Sequence, residues 1–128
     1  MWRHIGFWNY FNMKTELMAA FEADMAAAKH LMQAGRLDRA MRHLERAHVI
    51  GQNHVMPHVR SHWAMFQIAV KRHSPADGLG QAARIVLGAL GSAVGVVPTG
   101  NTGGTDISMF ARLPIDHEIT ALITQDRA

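Results

Sequence analysis

The chain has 128 residues and a formal net charge of +3, with 48% hydrophobic and 18% charged residues. That length suits one domain with one core, and that balance excludes disorder, which needs low hydrophobicity and high charge. The absence of cysteine excludes disulfides, thiolate metal sites and a cysteine nucleophile.

The N-terminal MWRHIGFWNYFN is aromatic and lacks the apolar core and cleavage site of a signal peptide. Residues 1–14 read as an extension with Met13 a candidate start. The alternative is a clasp in which Trp2, Phe7, Trp8 and Phe11 pack onto the domain. Residues 15–128 read as a single all-α domain: four main helices in stacked antiparallel hairpins, a Gly-rich loop and a short C-terminal helix.

The first helix is predicted over 15–34, with Thr15 as N-cap and Gly35 as the stop. Leu17, Phe21, Met25, Ala28, Leu31 and Met32 recur at helical spacing. The second runs over 37–50, with Leu37, Ala40, Met41, Leu44, Ala47 and His48 on one side and Gly51 ending it. The third runs over 55–72, with Pro57 in its first turn. Val59, His62, Phe66, Ala69 and Val70 form its predicted inner stripe, and Trp63 lies at its edge. Ser74-Pro75-Ala76-Asp77 starts a fourth helix that continues to about residue 90. Residues 91–113 are predicted to be loop. Pro114-Ile115-Asp116 then leads into a terminal helix over 115–126.

Gly35, Leu37, Ala40, Leu44 and Ala47 carry the spacing of the second half of a tetratricopeptide repeat, with Ala28 and Leu31 in its first half. Small residues there let two helices approach, and large ones fill the space between them. The span 15–51 is therefore a predicted tetratricopeptide-like hairpin, which needs the helix pair at 55–90 to cover it. The segment from Phe21 to Leu122 also resembles a family of small bacterial proteins known only as a domain of unknown function. HLERAHVIGQNHVMPHVRSHW at 43–63, Gly80-Gln81, Arg84, PTGNTGG at 98–104 and Leu113-Pro114-Ile115 carry the resemblance. It implies family membership and little about activity.

Five of the nine histidines lie between residues 43 and 62. His58 and His62 are one turn apart on one helix face, the spacing two imidazoles need to share a metal. Glu45 and His48 form a Glu-x-x-His pair on the preceding helix, as in carboxylate-bridged metal bundles. A short connection makes these helices antiparallel neighbours. His48, His58, His62 and Glu45 are thus the candidate metal ligands, with His54, His43 and Gln81 as additional candidates. The competing reading is that the histidines bond one another, Gln81 or loop carbonyls.

Nitrogen-rich ligation suits the transition metals Zn, Cu(II), Ni or Fe. Met18, Met25 and Met32 recur every seven residues, which raises a Cu(I) alternative against the simpler role of core filler. The GNTGG loop at 100–104 lacks the Lys and the Ser/Thr of a phosphate-binding loop and reads as a turn-rich cover. No catalytic triad assembles, so nothing demands an enzyme, and activity stays open only through a metal with a free coordination position.

The reading is a small metal-binding accessory protein: a buffer, chaperone or resistance factor using a histidine cluster. The alternatives are a helical interaction module without metal and a metal-dependent enzyme. The expected partner is a metal ion or another protein. No run of five like charges marks a nucleic-acid tail, and Arg36, Arg39, Arg42, Arg46 and Arg60 read as a solvated basic face. No stretch of 18 apolar residues crosses a membrane. The expected location is the cytoplasm.

Overall fold

A computed structural model describes residues 13–128. The extension and clasp readings of the first twelve residues lie outside it. Among the described residues there are five helices and no strand: α1 Thr15–Gln33, α2 Leu37–Gly51, α3 Val55–Lys71, α4 Pro75–Val94 and α5 His117–Arg127. α1 packs on α2, α2 on α3, and α3 on α4, and α5 returns to α1.

Two apolar clusters hold the helices together. One joins Leu17 and Phe21 of α1, Ala47 and Ile50 of α2, and Ile119 of α5. The other joins Ala28, Ala40 and Leu44 to Ala64, Met65 and Ile68 of α3. Ala40, Leu44 and Ala47 are fully buried. These are the small and large positions that let α1 and α2 close on each other. Each large side chain fully buried there contributes roughly 1.5–3 kcal/mol. Met18, Met25, Met32 and Met41 pack against these clusters, where a flexible thioether fills irregular gaps.

Several expected boundaries shift, each for a visible reason. Thr15 is the first residue of α1 and not its cap. The chain enters through Lys14, whose backbone N–H donates to Asp126 Oδ1 at 2.6 Å, so α5 does the work of a cap. Gly51 is the last residue of α2, one beyond the expected end. A Cβ there would stand 2.7 Å from Pro57 Cβ and 3.0 Å from the Phe21 ring, so this glycine serves close packing. α5 starts at His117, behind Asp116, whose carboxylate accepts from the Glu118 N–H.

α4 begins as predicted, with Ser74 Oγ accepting from the Asp77 N–H, but it runs past residue 90 to Val94. It stops at Gly95, at φ +77°, where Val96 N–H reaches the Gly91 carbonyl and Gly95 N–H that of Ser92. This paired closure needs a left-handed residue, which glycine adopts without Cβ strain. The non-helical segment is therefore 95–116.

The buried face of α3 is also rotated from the predicted stripe. Pro57, His58, Ser61, His62, Ala64, Met65, Ile68 and Ala69 are buried, whereas Val70 is 58% exposed. Periodicity of apolar residues misplaced the face because three of its inward positions are polar. Each of those three has a hydrogen-bond partner inside the protein, which makes burying it tolerable.

Candidate metal centre

His48 stands in the last turn of α2, and His58 and His62 lie one turn apart on α3. The loop at residues 52–54 turns the chain back, so the C-terminal end of α2 meets the N-terminal half of α3. All three imidazoles are at most 4% exposed. One ring nitrogen from each lies within 4.8 Å of those of the other two. Ring centroids are 4.6 Å apart for His48–His58 and for His48–His62, and 5.0 Å apart for His58–His62. Imidazoles coordinated tetrahedrally through nitrogens at ~2.0–2.1 Å have centroids about 5 Å apart, so the rings are close to that arrangement.

Each ring is oriented from behind by its Nδ1. His48 Nδ1 lies 2.6 Å from the Asn101 carbonyl oxygen. His62 Nδ1 lies 2.7 Å from Gln81 Oε1. Gln81 Nε2 donates to the Gly103 carbonyl at 3.0 Å, which fixes the direction of the amide. His58 Nδ1 meets Ser92 Oγ. That hydroxyl spends its proton on the Gln52 carbonyl at 2.7 Å and must therefore accept from the histidine. All three partners are acceptors, so all three imidazoles carry their proton on Nδ1.

The consequence lies at the other nitrogens. His48 Nε2 and His62 Nε2 stand 3.0 Å apart, but neither has a proton to donate in this tautomer. The close approach is between two lone pairs. His48 and His62 thus turn unprotonated Nε2 atoms toward each other, His58 lies beside them, and a cation held by the three rings would satisfy these nitrogens at once. This is the pattern of metal-bound histidines, where the second nitrogen donates to an oxygen that fixes ring and tautomer.

The electrostatics agree. Burial pushes the His48 imidazolium well below its usual range, and the neighbouring rings add to that. Burial likewise pushes His58 down to about 3, with His62 contributing. Burial takes His62 down to about 4 against the opposing hydrogen bond to Gln81, and Arg84 reinforces the shift. At neutral pH the rings are therefore uncharged, the state a metal requires.

Two glycines make room for the rings. A Cβ at Gly88 of α4 would stand 2.9 Å from His58 Nε2 and Cε1, and one at Gly103 would stand 2.6 Å from His48 Cδ2. The triad opens into a cavity of about 160 Å³, which Arg84, Leu87, Val96, Met109 and Phe110 also line. Asn101 holds the loop over it. Its Nδ2 donates to the Ser108 and Ala111 carbonyls at 2.9 and 2.8 Å, and its Oδ1 accepts from the Gly103 N–H.

The structure brings His48, His58 and His62 together, with Gln81 behind His62. It does not bring Glu45 to them. The Glu45 side chain lines a separate cavity with Arg42, Arg72 and Asp106. Burial and the nearby Asp106 raise its pKa. His54 stands apart with Asp126, at 2.9 Å. His43 stands apart with Asp24, at 2.8 Å. Sequence reasoning missed Ser92, Gly88 and the role of the Asn101 carbonyl. Gly88 and Ser92 lie four apart on α4, a spacing that is visible in the sequence but carries no meaning before α4 is set against α3.

The family model described as Protein of unknown function (DUF3703) matches residues 15–123. The chain belongs to that family. The DUF3703 match spans the whole triad together with Gln52, Gln81, Ser92 and Asn101, so the site lies within the family's shared domain. No significant match to a curated protein or to a solved structure was found.

Proposed function

We propose that this protein binds one divalent transition-metal ion through Nε2 of His48, His58 and His62. The observation that carries this reading is the set of three Nδ1 contacts to acceptors, which leaves Nε2 of three adjacent buried rings unprotonated. All-nitrogen ligation suits Zn, Cu(II), Ni or Fe. Three protein ligands beside a cavity leave a coordination position open, unlike the closed four-ligand sets of structural zinc sites. An open position lets a metal exchange by ligand substitution, which suits a buffer, chaperone or resistance factor.

The test is elemental analysis and zinc calorimetry on untagged protein. The expected result is one metal per chain, with binding lost in His58→Ala and His62→Ala and retained in His30→Ala. No binding of Zn, Ni or Cu by the wild type would overturn the reading.

A second reading has its own observation. Met25, Ala28, Met32, Trp63, Phe66 and Val70 line an open groove of about 780 Å³ between α1 and α3. Trp63 is 54% exposed and stacks on Phe66 with centroids 5.5 Å apart. Exposed apolar grooves rimmed by charge mark interaction surfaces, and a peptide helix would suit this one. The groove does not share the triad's cavity, so it is compatible with metal binding.

A further inference from the structure

We infer that the cavity in front of the triad binds a small carboxylate-type anion, held jointly by the metal's open position and by Arg84. The inference rests on the metal reading and extends it to the ligand.

The first argument is charge. Three neutral imidazoles bring no negative charge to a divalent ion, and no carboxylate belongs to the cluster. A divalent cation there would sit beside the Arg84 guanidinium, which lines the same cavity. Uncompensated buried charge is costly. Asp106 offsets part of the arginine's charge, but its carboxylate lines the cavity on the Glu45 side. The remaining compensation has to come from a ligand that the described residues do not supply.

The second argument is the arginine itself. Its terminal nitrogens are engaged, one with the Gly80 carbonyl at 3.3 Å and the other with the Ile107 carbonyl at 2.9 Å. Its Nε is buried and has no hydrogen-bond partner among the described residues. That nitrogen is closed to a water-sized group, so an anion in the cavity would meet the guanidinium through its charge. The two backbone anchors hold the group in place without neutralising it.

The third argument is size and lining. Cavities for drug-sized ligands run from roughly 300 to 1,000 Å³, and this one is about 160 Å³. Its other walls are mainly apolar, with Leu87, Val96, Met109 and Phe110 among them. A carboxylate with a short apolar tail matches that lining better than a multiply charged oxyanion does.

Cobalt(II) provides the test, because its visible d–d bands report both its binding and the exchange of its open-position ligand. Acetate is the probe, and uncharged acetamide of the same shape is the control. Acetate should shift the bands of the cobalt-loaded wild type, and acetamide should not. Arg84→Met should weaken acetate binding roughly tenfold or more while cobalt affinity stays the same or rises. Arg84→Lys should recover part of the loss.

A cobalt-loaded wild type that ignores acetate, or responds equally to acetamide, would overturn the inference and leave the metal site standing. Equal acetate affinity in Arg84→Met would overturn the role of the arginine. Absence of cobalt d–d bands in the wild type would instead remove the metal reading and this inference with it.

Discussion

Replacing Gly88 with alanine separates the site from the fold. The added Cβ would stand 2.9 Å from both Nε2 and Cε1 of His58, within van der Waals distance of the nitrogen assigned to the metal. Relief requires the His58 ring to retreat by several tenths of an ångström, and its Nδ1 is already held against Ser92. The same change removes a glycine from the interior of α4, which favours the helix by about 1 kcal/mol. Overpacking opposes that gain by roughly 1–3 kcal/mol.

The apo protein should therefore melt within a few degrees of wild type. Metal affinity should fall by well over the roughly 10–100-fold that loss of a supporting partner costs, because a ligand itself is displaced. Competition against a chromophoric zinc chelator measures the affinity, and thermal melting with and without zinc measures the coupling. Gly78→Ala in the same helix is the control. Its Cβ would meet only Phe66 Cε2 at 3.6 Å, an ordinary contact, so stability should rise and affinity should not change. Wild-type zinc affinity in Gly88→Ala would refute the placement of the metal on His58 Nε2.

Three further outcomes follow from the same geometry. Long-range 1H–15N spectra of the apo protein should show His48, His58 and His62 protonated on Nδ1, and an Nε2–H signal for His48 or His62 would restore an ordinary hydrogen bond between them. His58 and His62 titrate at about 3 and about 4 in the fold and near 6.5 when unfolded, so the unfolded chain binds more protons at mildly acidic pH. Apo stability should be full above about pH 6.5 and decline as pH falls toward 4. Each of the two histidines should cost about 2 kcal/mol by pH 5, and flat stability between pH 7 and 5 in urea denaturation would contradict the burial argument. Ala40→Leu should overpack the α1–α2 hairpin at a cost of roughly 1–3 kcal/mol, and unchanged melting would count against the tight approach at Ala40.

Local chemistry made most of the fold legible in the sequence. The Ser74 cap, the proline in the first turn of α4 and the glycine after α1 act within a few residues of themselves, so they could be read in place. The i,i+4 histidine pair could be read for the same reason. What failed depended on other elements. Lys14 is tied to α5 across the chain, at Asp126 and at the Gln125 carbonyl, and the close packing at Gly51 depends on Phe21 and Pro57. The inward face of α3 is set by Ser92 and Gln81 of α4, which receive its histidines. Glu45 misled because Glu-x-x-His fixes only a shared helix face. The Glu45 carboxylate lies instead beside Gly104, in the cavity that Arg42 and Arg72 line, and no periodicity encodes that.

X-ray absorption on the zinc-loaded, untagged protein tests the central claim most directly. The account predicts one zinc per chain, with three histidine nitrogens at ~2.0–2.1 Å, the outer-shell scattering of three imidazoles, and one further light atom. A first shell of oxygens without that imidazole signature, or a sulfur neighbour, would contradict it.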